Sequence, residues 1–164
     1  MTAGYAEIVK YGLLGDTIFF SWLEENWSNV LSLTQEEIVF AVKHSCEMKA
    51  DIVSKDEKET DIRALLNLGH TFAHAFEAVG MYNGDLLHGE AVAAGLGLAF
   101  DFSVAKHICK QEDALRVHAH LMEVGLPDDY SSLPAGKADV STFCLLYTSD
   151  AADDSLRVDL GGRR

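Results

Sequence analysis

The sequence predicts an all-α protein, a helical array built around one core. Apolar residues recur at helical spacing over most of the chain, and no stretch shows the convincing alternation of a half-buried strand. The two prolines, Pro127 and Pro134, both come late and leave the earlier segments free of helix breakers. The 164 residues, 48% hydrophobic and 24% charged, are typical of one globular domain.

The first half of the chain supplies three expected helices. Residues 5–14 hold a short amphipathic pattern, and residues 16–27 are rich in aromatic side chains at helical spacings. Thr34 followed by Glu37 is a capping box that opens the third helix. Residues 54–61 are almost all polar or charged, so we expect them to form an exposed connection.

Three more helices are expected in the second half. One covers residues 62–79 and is followed by a loop at residues 80–85. Residues 90–105 are small and apolar enough to form a buried helix. The last helix covers residues 111–124 and ends because Gly125 favours a helix terminus.

Composition excludes some classes of function. With 13 basic and 26 acidic residues the net charge is −13, and a field of that sign repels nucleic-acid backbones. No apolar run is long enough to span a membrane, and the chain start carries no export signal. Three scattered cysteines, Cys46, Cys109 and Cys144, indicate a reducing compartment. We therefore expect a soluble, cytoplasmic protein without nucleic-acid or membrane partners.

Residues 144–164 break the pattern of the preceding chain. They resemble the translation of a transposon-type sequencing adapter, with a constant end, a variable index and a primer region. We expect this tail to be an artefact that is disordered, so the domain covers residues 1–143. A chain interrupted in this way is expected to be a fragment of a longer protein.

One polar stripe stands out on the expected helix over 62–79. At about 100° per residue, Arg63, Asn67, His70 and His74 fall within a stripe roughly 60° wide. A planar cation, an amide and two imidazoles are groups that recognise anions and bind metals. Two satisfied histidines at a helix interface are the structural alternative. The glutamate of the His-Glu-x-x-His metalloprotease signature is absent, since Thr71 follows His70.

Two distant stretches complete a possible ligand set. Glu7 and Lys10 lie three residues apart near the chain start, and His88 precedes the expected apolar helix. Taken singly, the first pair is typical of a surface ion pair and His88 of a residue at a helix start. Together with the stripe they supply two imidazoles and one carboxylate, a set that binds catalytic zinc and leaves a fourth position for substrate.

Several long motifs resemble one family. From about Gly4 to Pro127, in order and with matching spacing, the chain resembles the C-terminal half of 3-dehydroquinate synthase, a sugar phosphate cyclase. The motifs that carry the resemblance are Ala6–Gly12, Lys49–Val53 with Asp56-Glu57, Arg63–Phe72 and Leu87–Ala93.

The resemblance implies a mostly helical domain that binds metal and substrate and follows an NAD-binding α/β domain. It implies Zn²⁺, or Co²⁺, bound by Glu7, His70 and His88. Substrate-binding positions would be Lys49, Arg63 and Asn67, and catalytic positions would be Lys10 and His74. In these roles Lys49 and Arg63 suit a carboxylate, Asn67 suits the phosphate, Lys10 polarises a hydroxyl and His74 handles protons.

The activity that the resemblance implies belongs to the shikimate pathway. A seven-carbon keto-acid sugar phosphate, 3-deoxy-arabino-heptulosonate 7-phosphate, would be converted to 3-dehydroquinate and phosphate by a full-length homodimer that uses NAD. No Gly-rich strand–turn–helix unit occurs in the sequence, so the NAD-binding domain is expected to be absent and the chain inactive alone. Two alternatives remain: a sister cyclase of the inosose or valiolone synthase type, and a non-enzymatic helical interaction module.

Overall fold

The computed structural model describes residues 2–58, 62–80 and 86–133, and every regular element in these ranges is helical. The predicted all-α class is therefore confirmed, and these ranges contain no strand from which an NAD-binding sheet could be built. Within them, no helix is both long and apolar enough to cross a bilayer. The helices are α1 (Thr2–Leu13), α2 (Thr17–Leu31), α3 (Gln35–Lys55), α4 (His70–Gly80), α5 (His88–Ala105) and α6 (Gln111–Glu123), with 3₁₀ helices at Ile62–Asn67 and Tyr130–Ser132.

Helix α5 is the centre of the array and packs against α1, α4 and α6. Residues 91–97 are all buried, because alanine and glycine at most of these positions let the neighbouring helices approach closely. Gly89 shows how close: a Cβ built there would lie 1.8 Å from the carbonyl oxygen of Ala3. The start of α5 therefore rests directly on the backbone of α1.

Aromatic and aliphatic side chains join α1, α2 and α6. Tyr5, Phe20, Leu23 and Leu121 are buried in this core. His120 is buried with them, with its Nε2 3.2 Å from the Tyr5 hydroxyl, which donates to the carbonyl of Leu23. This packing fixes the orientation of α1, which matters because α1 carries residues of the site.

The expected continuous helix over 62–79 is wrong. A 3₁₀ helix ends at Asn67, the chain turns at Gly69 with a φ of +79°, and α4 begins at His70. A Cβ at residue 69 would lie 2.9 Å from the backbone nitrogen of Leu96, so α5 leaves room only for glycine. The straight-helix geometry behind the polar stripe therefore does not apply to Arg63 and Asn67.

Two local expectations also need correction. The connection over 54–61 is not uniformly exposed, because α3 continues to Lys55 and Asp56 is buried, with its Oδ2 accepting the Arg63 backbone N–H at 3.1 Å. Thr34 does precede the first turn of α3, but its side chain makes no capping hydrogen bond.

Parts of three expectations lie outside the described residues. These are residues 59–61 of the connection, residues 81–85 of the expected loop and the whole 144–164 tail.

Candidate metal and substrate site

Three helices bring the predicted metal ligands together. Glu7 projects from α1, His70 from the first turn of α4 and His88 from the first turn of α5. The Nε2 atoms of His70 and His88 lie 3.3 and 3.5 Å from Oε1 of Glu7, and one ligand atom from each residue lies within 4.8 Å of the other two. Tetrahedral ligands about 2.0–2.1 Å from a zinc ion are separated by roughly 3.3 Å, so the Glu7–histidine distances match such a centre.

In His70 and in His88, the ring nitrogen Nδ1 lies close to a hydrogen-bond acceptor. Nδ1 of His70 lies 3.2 Å from the carbonyl oxygen of Leu68, and Nδ1 of His88 lies 2.8 Å from Oε1 of Glu77. We infer from these contacts that, when a metal is bound, Nδ1–H donates in both rings, which leaves the Nε2 lone pairs directed towards the Glu7 side. Oriented imidazoles of this kind are the usual ligands of a protein-bound metal.

Glu7 is ionised in this environment. Burial raises the pKa of its carboxyl group, but hydrogen bonds from His70 and Lys10, together with their charges, outweigh that effect and lower the pKa to about 2. Nζ of Lys10 lies 2.6 Å from Oε2 of Glu7, and Lys10 is only 4% exposed. The pair is therefore not the surface ion pair that its spacing alone would suggest.

The donor set fits a divalent transition metal. One carboxylate and two imidazoles suit Zn²⁺ or Co²⁺, and three protein ligands leave a coordination position for a substrate or water. Because Lys10 occupies Oε2 of Glu7, Oε1 is the oxygen that faces both histidines. The geometry thus separates the metal-facing and lysine-facing oxygens of the same carboxylate.

A cleft of about 600 Å³ opens beside these ligands. It includes the predicted positions Lys10, Lys49, Arg63 and Asn67. Three of its side chains carry a positive charge, which favours an anionic occupant. The complete lining is Glu7, Lys10, Tyr11, Ser45, Cys46, Lys49, Arg63, Leu66, Asn67 and His70.

Arg63 reaches the cleft from the 3₁₀ helix and is aimed by the turn before it. Its Nη1 donates to the carbonyl oxygen of Glu57 at 3.1 Å, and its backbone N–H donates to Oδ2 of Asp56. These two bonds fix both the backbone and the guanidinium. The turn before the 3₁₀ helix therefore orients Arg63, whereas the sequence pattern predicted that a continuous helix would do so.

His74, unlike the other predicted substrate-binding and catalytic residues, does not line the cleft. It is exposed on α4, one turn after His70, with the two ring centroids 5.9 Å apart. His74 is also not part of the ligand group formed by Glu7, His70 and His88. His74 therefore lies beside the candidate metal centre rather than in it.

Four residues with hydroxyl, thiol or carboxyl side chains at the site have no role predicted from the sequence. Glu77 lies two turns after His70 on α4, a spacing that placed it on the same side of the helix. Tyr11 directly follows Lys10, and Ser45 and Cys46 precede Lys49 by about one turn of α3, so proximity to predicted residues was their signal in the sequence. All four are near the site because helices place neighbouring turns side by side.

Comparison with known proteins identifies the same family that the motifs resemble. The family model described as 3-dehydroquinate synthase C-terminal matches residues 4–150. A 3-dehydroquinate synthase of a Ruegeria species is 54% identical over 132 residues, which are 80% of this chain and 35% of that protein. The enzymes of Ruegeria pomeroyi and Brucella anthropi are 48% and 53% identical, over 94% and 82% of this chain and 42% and 35% of their own lengths.

The chain thus spans about two fifths of the length of the relatives that it matches. The match begins within α1, extends beyond α6 and includes all the residues of the candidate metal and substrate site. The chain belongs to the 3-dehydroquinate synthase C-terminal family.

Proposed function

We propose that this chain is the metal- and substrate-binding part of a 3-dehydroquinate synthase. The observation that carries the proposal is the convergence of Glu7, His70 and His88 beside a cleft lined by Lys10, Lys49 and Arg63. The names of the relatives support the same activity. The parent enzyme would convert 3-deoxy-arabino-heptulosonate 7-phosphate to 3-dehydroquinate and phosphate, a step of the shikimate pathway.

The reaction would proceed through oxidation of one carbinol by NAD, loss of phosphate, reduction, ring opening and aldol closure. Glu7, His70 and His88 would bind the metal, which when bound lowers the pKa of a coordinated substrate hydroxyl. Lys10 would donate a hydrogen bond to a hydroxyl beside Glu7, since its Nζ is already fixed at that carboxylate.

The remaining cleft residues would bind the two ends of the substrate. Arg63 presents a planar fork that suits a carboxylate, with Lys49 as a second positive charge in the same cleft. Asn67 would donate its amide hydrogens to the phosphate. His74, exposed one turn from His70, would accept and return protons at the substrate, because a histidine changes charge near neutral pH.

The positive charges of Lys49 and Arg63 also help to distinguish a dehydroquinate synthase from the alternative cyclases. An enzyme of the inosose or valiolone synthase type takes a sugar phosphate without a carboxylate, and Lys49 and Arg63 would then lack that partner. A helical interaction module would need neither these cations nor three converging metal ligands. Both alternatives are therefore less well supported than dehydroquinate synthesis.

NAD chemistry requires residues that this part of the chain does not supply. The described residues form helices only, and a dinucleotide site of the expected kind needs a Gly-rich turn after a strand. We therefore propose that this chain alone does not turn over substrate. The domain boundary at residue 143, the adapter origin of residues 144–164, the homodimeric parent and the cytoplasmic location all remain predictions.

Metal analysis tests the proposal directly. After incubation with zinc and removal of excess, the chain should retain one zinc per molecule, and Glu7→Ala or His88→Ala should abolish retention. His44→Ala is the matched control, because His44 contacts Asp16 and is not part of the candidate ligand group. Equal retention in all four proteins, or none in any, would contradict the metal site.

Activity requires a longer protein. In a chimera, residues 4–127 of this chain would replace the matching residues of the Ruegeria relative. We expect the chimera to form 3-dehydroquinate and phosphate with NAD and zinc, and the isolated chain to form neither. A chimera that accepts only a sugar phosphate lacking the carboxylate would favour a sister cyclase.

A further inference from the structure

A carboxylate lies directly behind the proposed metal ligand His88. Glu77 lies on α4, two turns after His70, and its Oε1 is 2.8 Å from Nδ1 of His88 on α5. The contact joins two helices that each supply one metal ligand. The metal site proposed above contains Glu7, His70 and His88, so Glu77 is outside that set.

Packing restrains the ring of His88 less than it restrains the ring of His70, so a hydrogen bond matters more for the orientation of His88. The His70 side chain is 15% exposed, whereas that of His88 is 52% exposed. The backbone of His88 is fixed, because neighbouring Gly89 rests against Ala3. Its ring is half in solvent, where little packing restricts rotation about the side-chain torsions.

The position of Glu77 also decides which nitrogen of the ring is free. Nδ1 of His88 is 2.8 Å from Glu77, whereas Nε2 is 3.5 Å from Glu7. The shorter contact favours a proton on Nδ1, which leaves the Nε2 lone pair facing Glu7 and the metal position. Without Glu77 the Glu7 carboxylate becomes the competing acceptor, and the proton moves to the nitrogen that must bind metal.

We propose that Glu77 is a positioning residue of the metal centre, which orients His88 and sets its tautomer for ligation through Nε2. The inference rests on the metal site of the proposed function. Glu77 itself does not bind the ion. Carboxylates that accept from a metal-bound histidine typically strengthen metal binding by about 10- to 100-fold.

The first test uses the metal-free chain. Two-bond ¹H–¹⁵N correlation spectra at about pH 9, where imidazoles are neutral, report the tautomer of each ring. We expect His88 to carry its proton on Nδ1 in the unaltered chain and on Nε2 in Glu77→Ala. A ring that keeps the same tautomer in both proteins overturns the inference.

The second test measures zinc affinity by competition with a chelator. Glu77→Ala should weaken binding about 10- to 100-fold, and Glu77→Gln, which keeps an oxygen acceptor, should weaken it less. The matched control is Asp101→Asn, which removes a carboxylate at 3.0 Å from another histidine, His118, and should leave zinc affinity unchanged. Circular dichroism of each metal-free variant checks that the helices remain.

The outcomes separate the inference from the proposed function. Unchanged affinity in both Glu77 variants, or an equal loss in Asp101→Asn, overturns the role of Glu77 but leaves the metal site intact. Absence of zinc binding in the unaltered chain, or binding insensitive to Glu7→Ala, overturns both.

Discussion

Glu7 and Lys10 lie one turn apart on α1, with Nζ of Lys10 2.6 Å from Oε2 of Glu7 and the opposite oxygen facing two histidines. One carboxylate thus links the charged end of a buried lysine to the candidate metal centre. A change at Lys10 should therefore affect chemistry at the centre without removing a ligand.

Lys10→Met tests that separation. The variant keeps the aliphatic stem but removes the charge, so we expect the chimera to lose about 10²- to 10⁴-fold in kcat while it retains one zinc per molecule. Steady-state kinetics and metal analysis on the same preparation measure both effects. Loss of zinc in Lys10→Met would show that the lysine supports Glu7 as a ligand instead.

His70 and His74 should differ in their effects, although both are histidines one turn apart on α4. His70→Ala removes a ligand and should abolish zinc retention, whereas His74→Ala should retain zinc and lower kcat of the chimera by about 10²-fold or more. Metal content and kinetics of the two variants decide the point. If His74→Ala also loses zinc, the ligand set named here is incomplete.

Arg63→Lys tests the recognition of a carboxylate. Lysine keeps the charge but loses the planar fork and the bond to the carbonyl of Glu57. We expect KM of the chimera for the keto-acid substrate to rise about 10- to 100-fold, which corresponds to the loss of one charged hydrogen-bond pair. Lys58→Arg, on the exposed turn nearby, is the control and should leave KM unchanged.

Gly89→Ala tests the packing of α5 on α1. Its Cβ would lie 1.8 Å from the carbonyl oxygen of Ala3, so the two helices must separate. We expect a loss of about 1–3 kcal/mol in the free energy of unfolding and weaker zinc binding, because His88 moves away from Glu7. Denaturant unfolding and chelator competition provide the two measurements. Gly4→Ala, where a Cβ meets no atom within 4 Å, should neither weaken zinc binding nor lower the free energy of unfolding.

His118 should make stability depend on pH. Burial lowers the pKa of His118, but hydrogen bonds to Asp128 and Asp101, with their charges, outweigh burial and raise the pKa above 6.5. A raised folded-state pKa means that the stabilisation is fully present below pH 6.5 and is lost as pH rises through the folded pKa. The difference in Tm between the chain and His118→Gln should therefore be largest near pH 6 and shrink towards pH 9. If the Tm difference instead grows with pH, folding does not raise the pKa of His118.

The parts of the fold that depend on local pattern were predictable. Helical periodicity indicated six helices because each one carries its own apolar residues, and the motifs around Glu7, His70 and His88 indicated three residues that converge in the structure. The tertiary packing of Leu96 against Gly69 could not be read from residues 62–79 alone, so the helix break was missed. Asp56 was likewise expected to be exposed, because the N–H that it accepts belongs to a residue beyond the turn.

Contacts between distant segments explain the remaining differences in the site. Glu77 received no role because its partner, His88, comes from the next helix across a connection whose path the sequence does not specify. His74 was placed in the same stripe as Arg63 on the assumption of a straight helix. Once Gly69 turns the chain, Arg63 lines the cleft and His74 does not.

The turn at Gly69 divides one continuous stretch of sequence into two structural segments. Arg63 and Asn67 precede the turn on a short 3₁₀ helix, whereas His70 follows it on α4. If the chain has the proposed function, substitutions in the short helix should alter substrate binding while the start of α4 keeps its orientation. A single glycine thus separates the segment that lines the cleft with Arg63 and Asn67 from the helix that brings His70 to Glu7.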